Sequence, residues 1–183
     1  MNIPVSEFFK NQLHAQVILP MSWAKVDAND LKDYSLHNLN IFNVWQSQTE
    51  HPVQHSDSPD KNTPEIIRIE HKLDLVINLF QQFLSQQQDT KLTLTTVLVS
   101  VSGIRWLISD KALQLGETLL ILLSLEASPL PVYLHAKVIE IEVCHGGVLC
   151  TARFLEQSEK INELMDRWIF KLHRREISNL RHR

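Results

Sequence analysis

Two histidines four residues apart, His51 and His55, and a Cys144-His145 pair followed by Cys150 are where this sequence comes nearest to metal or thiol chemistry. On a helix, histidines at i and i+4 share a face and can hold zinc. Here Pro52 lies between them in a stretch without helical periodicity, so the pair reads as solvated linker. Cys144 and Cys150 flank Gly146-Gly147. A two-residue turn there would set Cys144 opposite Leu149, and a metal site needs four protein ligands or three plus water. Both cysteines therefore read as free structural thiols. The sequence has no Gly-x-Ser-x-Gly elbow, no glycine-rich phosphate loop and no paired carboxylates in a plausible cleft. It reads as non-enzymatic, with no metal and no cofactor.

Six Lys and Arg residues and one acid, Glu176, lie between Arg167 and Arg183. Basic side chains late in a helix complement its dipole, which accounts for them without an anionic partner. The net charge of −3 gives no overall attraction for nucleic acid or an anionic membrane. The most apolar run, Leu119 to Leu125, is too short to span a bilayer as a helix, and Met1 to Glu7 has no basic stretch leading into an apolar one. The expectation is a cytoplasmic protein with no nucleic-acid partner and no membrane insertion. With 183 residues, 44% of them hydrophobic and 21% charged, the chain is long and apolar enough for a packed core.

Ala15 to Leu19 is the earliest strand, stopped by Pro20 or reaching Trp23 at most. Asp27 or Asn29 then offers a cap for a helix to about Trp45, with Leu31, Tyr34, Ile41, Phe42 and Trp45 as its apolar side. Residues 46–62 are nearly all polar and form a linker. Thr63 and Pro64 open a long helix to about Gln87. Between Leu92 and Phe154, short alternating runs broken by Gly103, Gly116, Pro129, Pro131, Gly146 and Gly147 give an antiparallel β module. In its longest run Val132, Leu134, Ala136 and Val138 share one face, whereas Ile139, Ile141 and Val143 have the opposite parity, which predicts a β-bulge. Ser158 caps a final helix with the stripe Ile161, Leu164, Met165, Trp168, Ile169 and Leu172.

Within the long helix, Ile66, Ile69, Leu73, Val76, Phe80 and Phe83 follow alternating steps of three and four, the seam of a coiled coil. Leu73 at an a position with Val76 at d favours trimers or tetramers, and Ile77, Leu79 and Leu84 widen the apolar face. The expected state is a homo-oligomer held by this seam.

The order of elements adds a resemblance. Leu19-Pro20-Met21-Ser22-Trp23, then Arg68 to Leu75, then Leu98-Val99-Ser100-Val101-Ser102-Gly103-Ile104-Arg105-Trp106 resemble the atypical, tetramer-forming branch of the PilZ family. Leu115-Gly116-Glu117 resembles that family's turn into a strand, and Thr151 to Leu155 its last strand. The resemblance covers nearly the whole chain. It implies an α+β fold: an antiparallel β-barrel that takes in the strand near Val17, with a C-terminal helix. The helices of about 27–88, including the heptad helix, would be an insertion in a single domain spanning 1–183.

Typical members of this family bind cyclic di-GMP through an Arg-x-x-x-Arg motif ahead of the first strand and an Asp/Asn-x-Ser-x-x-Gly motif in the barrel. Ser100 and Gly103 match the second motif, while Leu98 stands where the acid or amide belongs and cannot hydrogen-bond a guanine edge. Only Lys10 and His14 stand where the arginine pair should be. The resemblance thus implies a degenerate ligand site at Ser100 and Gly103, with Arg105 as the one nearby cation. Read alone, Arg105 is a solvated strand arginine. Weak or absent binding of cyclic di-GMP follows. The function implied is a signalling adaptor in motility, pili or surface behaviour, acting as a tetramer on a regulatory protein partner. The alternative is a cyclic di-GMP receptor with a rebuilt site.

Overall fold

The computed structural model describes residues 3–50, 73, 91–109, 113–126, 128, 130–144 and 146–181. Its strands are β1 (His14–Lys25), β2 (Thr93–Ser100), β3 (Gly103–Ile108), β4 (Thr118–Ser124), β5 (Pro131–Cys144) and β6 (Gly147–Phe154), with helices α1 (Ser35–Glu50) and α2 (Glu159–Arg181). The strands close into an antiparallel barrel in the order β1-β2-β3-β6-β5-β4. The helix of residues 63–87 expected from the heptads lies outside the described residues. Leu73 alone is described there, as an exposed helical position.

Alternation decides what fills the barrel. Val97, Val99, Ile104, Trp106, Ile121, Leu123, Leu134, Ala136, Cys150 and Ala152 are buried in one cluster with Ile41, Phe42 and Trp45 of α1. The whole predicted stripe of α2, from Ile161 to Leu172, enters the same core. Ser158 caps α2, its hydroxyl accepting from the Ile161 N–H at 3.4 Å.

Pro20 does not end β1, which runs on to Lys25. The Gln16 N–H turns away from β2 to Glu176 Oε2 at 3.1 Å, and the Val26 N–H goes to Thr118 O at 3.0 Å. Even-numbered residues of β1 therefore face the β4 side. Pairing with β4 starts only at Met21, so the missing N–H of Pro20 falls just outside that ladder. Helix α1 starts later than Asp27 or Asn29. Asp27 Oδ1 instead accepts from the Asn29 N–H at 2.8 Å in a local turn, and Asp33 Oδ1 accepts from Ser35 at 2.8 Å where the helix begins. The helix also runs on through Glu50, into the stretch expected to be linker.

The pairing across the hairpin after β5 is two residues out from expectation. Cys144 pairs with Gly147, not Leu149, and Ile141 pairs with Cys150. At Gly147 β3 passes so close that a Cβ would sit 2.4 Å from Ile108 O, so this ladder position requires glycine. The bulge lies where the parity switch placed it, between Val138 and Glu140.

Among the described residues, the start of β1 and the start of β5 each lack a strand on one side and are closed there by side chains. On β1, His173 Nδ1 donates to His14 O at 2.9 Å beside the Glu176 bond to Gln16. On β5, His37 Nε2 donates to Pro131 O at 2.9 Å, and the Asn38 amide makes two bonds to the Tyr133 backbone at 2.7 and 2.8 Å. The helices thus act as edge covers as well as core.

Candidate functional site

Ser100, Gly103 and Arg105 lie on one end of the β2-β3 hairpin, and each is committed within the protein. Ser100 is fully buried, and its hydroxyl donates to Gly103 O at 3.4 Å and lies 3.3 Å from Ser102 Oγ. At Gly103 a Cβ would sit 2.5 Å from Ala152 O and 2.7 Å from the Phe8 ring. Glycine is needed there for close approach, not for a turn conformation.

Arg105 is not a solvated strand arginine. It is 1% exposed. Because Ile104 and Trp106 point into the core, Arg105 points to the outer face of β3, in a cross-strand row with Leu98, Thr151 and Glu140. Its Nη1 donates to Thr151 Oγ1 at 2.8 Å and to Glu140 Oε2 at 3.2 Å, and its Nη2 pairs with Glu142 Oε2. Thr151 in turn donates to Glu140 Oε2 at 3.0 Å. Only Nε lacks a partner among the described residues. The bulge makes this network: it moves the inward positions of β5 from even to odd numbers, which turns Glu140 and Glu142 outward beside the guanidinium.

The same face carries a second apolar cluster. Ile3 and Phe9, ahead of β1, bury against Leu98 and Leu149, with Phe8, Leu107 and Cys144 at its margin. A short turn, Glu7–Phe9, shapes the segment, with the Phe9 N–H on Ser6 O at 3.0 Å. Phe8 and Phe9 meet edge to face at 4.9 Å, and the Arg153 guanidinium lies 5.3 Å over the Phe8 ring. The Ile3 N–H reaches Gln16 Oε1 at 2.9 Å, and Gln12 accepts from Ser102 Oγ. The segment where an arginine pair would stand thus supplies an apolar plug that covers Leu98.

These partners were legible only in part. The parity switch in β5 carries the signal for Glu140 and Glu142, and the adjacent Phe8-Phe9 pair carries one for the plug. Neither shows, from sequence, that the carboxylates meet at Arg105 or that the plug covers Leu98. Cys144 and Cys150 point apart as expected, and burial pushes the Cys150 thiol up to about 12, so it has little nucleophilic thiolate. Among the described residues no cluster of three or more His, Cys, Asp or Glu side chains is placed to hold a metal, and no helix is long and apolar enough to cross a membrane.

The family described as atypical PilZ domain, cyclic di-GMP receptor, matches residues 46–182. Among solved structures the chain is similar to a pathogenic protein from Xanthomonas campestris, a tetrameric PilZ domain self-assembled via an unusual helical bundle. The two share 26% identity over 93% of each chain, with a TM-score of 0.74. Similarity to the Bacillus subtilis inhibitor of motility MotI/DgrA is lower: 18% identity over 50% of this chain and 45% of that one, with a TM-score of 0.39. No curated protein matches the sequence.

Proposed function

The chain belongs to the atypical PilZ domain family, and we propose that it serves there as a non-enzymatic regulatory adaptor that acts through protein contacts as an oligomer. One observation carries this reading. The barrel face that holds Ser100, Gly103 and Arg105 is filled by the protein's own Ile3 and Phe9, and the Arg105 guanidinium is already paired with Glu140 and Glu142. A phosphate arriving there would have to displace two carboxylates and an apolar segment. With its ligand face occupied, the barrel acts through its other surfaces.

The oligomer is assigned to the seam Ile66, Ile69, Leu73, Val76, Phe80 and Phe83. Support comes from the heptad spacing, from the exposure of Leu73 in the protomer, and from the helical bundle of the Xanthomonas campestris tetramer. In this reading residues 1–183 are one domain with the helical insertion at about 27–88, the assembly is a cytoplasmic tetramer, and its target is a regulatory protein. Calorimetric titration of the intact oligomer with cyclic di-GMP tests the closed face. Little or no heat is expected, and a sub-micromolar dissociation constant would overturn the reading.

A second reading has its own observation. Arg153 and Lys137, both exposed, follow Gly103 in the next cross-strand row. They would give a non-standard cyclic di-GMP site near Ser100, Gly103 and Arg105 the phosphate contacts that the missing arginine pair does not. The same titration decides, with Arg153→Ala as the variant that should abolish any heat.

A further inference from the structure

A second concavity lies away from the plugged face, where three elements meet: the start of α1, the unpaired end of β5 and the connection from β6 to α2. It encloses about 230 Å³. Tyr133 and His135, two apart on β5, share its outer face. Tyr34 stacks on Tyr133 with ring centroids 4.8 Å apart and an 18° tilt, and lies 5.6 Å from the His135 ring. Both partners come from one face of β5, and among the described residues the Tyr34 ring, which lines the cleft, has no further aromatic contact.

Charge around this cleft is negative on balance. Asp33 and Glu156 bring two carboxylates and Lys32 one ammonium to the lining, a formal balance of one negative charge. Hydrogen bonds from Ser35 hold the Asp33 carboxyl below its ordinary range, so it is ionised at any physiological pH. Glu156 is exposed and forms no ion pair among the described residues. Burial lowers the His135 pKa and raises that of Tyr133, so both are neutral and neither repels a cation. Gln157 is held by its own bond to Leu155 O at 3.2 Å, which fixes one wall.

We infer that this cleft is the anchor point for an arginine side chain of the protein partner. A planar guanidinium can stack against the aromatic lining at Tyr34 while its fork pairs with a carboxylate, a combination that a lysine ammonium cannot make. An arginine seated in such a pocket is a common energetic centre of protein interfaces. The inference rests on the adaptor reading and gives it a place on the surface.

The test uses the full-length protein and N-acetyl-L-arginine amide, which presents the side chain as it stands within a polypeptide. Nuclear magnetic resonance follows the Tyr34, Tyr133 and His135 ring signals. Saturable shifts are expected with the capped arginine. The capped citrulline and capped lysine analogues should bind at least about tenfold more weakly, the factor that one lost charge-assisted hydrogen bond gives. Glu156→Gln, an exposed substitution that leaves the fold intact, should weaken capped arginine by a similar factor. The inference is overturned by absent saturation, by equal binding of citrulline or lysine, or by an unaffected Glu156→Gln variant. Free arginine that binds far more tightly than the capped form would also overturn it, since the site would then take an amino acid. None of these outcomes bears on the plugged face, which the cyclic di-GMP titration decides separately.

Discussion

Phe9→Ala removes the centre of the plug. Phe9 is fully buried against Ile3, Leu98 and Leu149. Returning a buried aromatic side chain to water costs about 1.5–3 kcal/mol, and leaving a cavity in a core raises Phe→Ala costs to about 3–5 kcal/mol. The upper figure does not apply here, because the segment can undock and so avoid holding a void. The cost is then capped at the free energy of docking. A loss of about 2–3 kcal/mol is expected. Urea unfolding monitored by tryptophan fluorescence reads it, with wild type and variant at one protomer concentration because oligomerisation shifts apparent stability. Hydrogen exchange supplies a local readout: amides such as Phe9 N–H, bonded to Ser6 O, should lose protection. A stability change under about 0.5 kcal/mol, the usual range for surface substitutions, together with unchanged exchange would refute the plug.

Arg105→Ala should destabilise the barrel by about 2–3 kcal/mol, less than a fully buried pair would give because the Glu142 side chain is 60% exposed and its share is screened; denaturant midpoints check it. Gly103→Ala should cost more than about 2 kcal/mol by overpacking against Ala152 O and Phe8, whereas Gly116→Ala, strained only by its φ of 86°, should cost about 1 kcal/mol. Thermal melts of the two variants should differ in that order. Leu73→Glu combined with Val76→Glu should put carboxylates in the proposed seam and reduce the assembly to folded monomers, as read by sedimentation; a monomeric wild type would remove the coiled-coil reading.

The barrel was readable because its signals are local. Short apolar and alternating runs mark strands β2 to β6, and the change of parity after Val138 marks the bulge from the side-chain pattern alone. Ser158 and the stripe that follows it mark α2 in the same way. What sequence could not give were the places where local rules compete with long-range pairing. Pro20 looked like a terminator because its tolerance depends on where the β4 ladder begins, which is a property of another strand. Asp27 and Asn29 looked like caps because the same side chains serve Asx turns equally well. Gly146-Gly147 looked like the turn itself, whereas Gly147 pairs with Cys144 in the ladder and is glycine because β3 passes close by. Arg105 was misjudged for the same reason. Its partners are carboxylates thirty-five and thirty-seven positions later, and its cross-strand neighbour Leu98 is covered by a segment before β1.

The plug also fixes how any nucleotide binding should respond. If docking is worth about 2–3 kcal/mol, the face is open in roughly one molecule in 30 to 150, and the apparent affinity of a ligand that needs it open falls by that factor. Phe9→Ala lifts this restriction without touching a polar group. Under the receptor reading, cyclic di-GMP should therefore bind the variant about 30- to 150-fold more tightly than wild type. Under the adaptor reading it should bind neither, because the Arg105 guanidinium remains paired with Glu140 and Glu142 after the plug is gone. Calorimetry on Phe9→Ala separates the two, provided exchange confirms that the segment has opened. Should binding stay absent in an opened variant, the ion pairs are what close the site. Glu142→Gln in the Phe9→Ala background should then release one arm of Arg105, and a titration that remains flat would rule out this face as a nucleotide site.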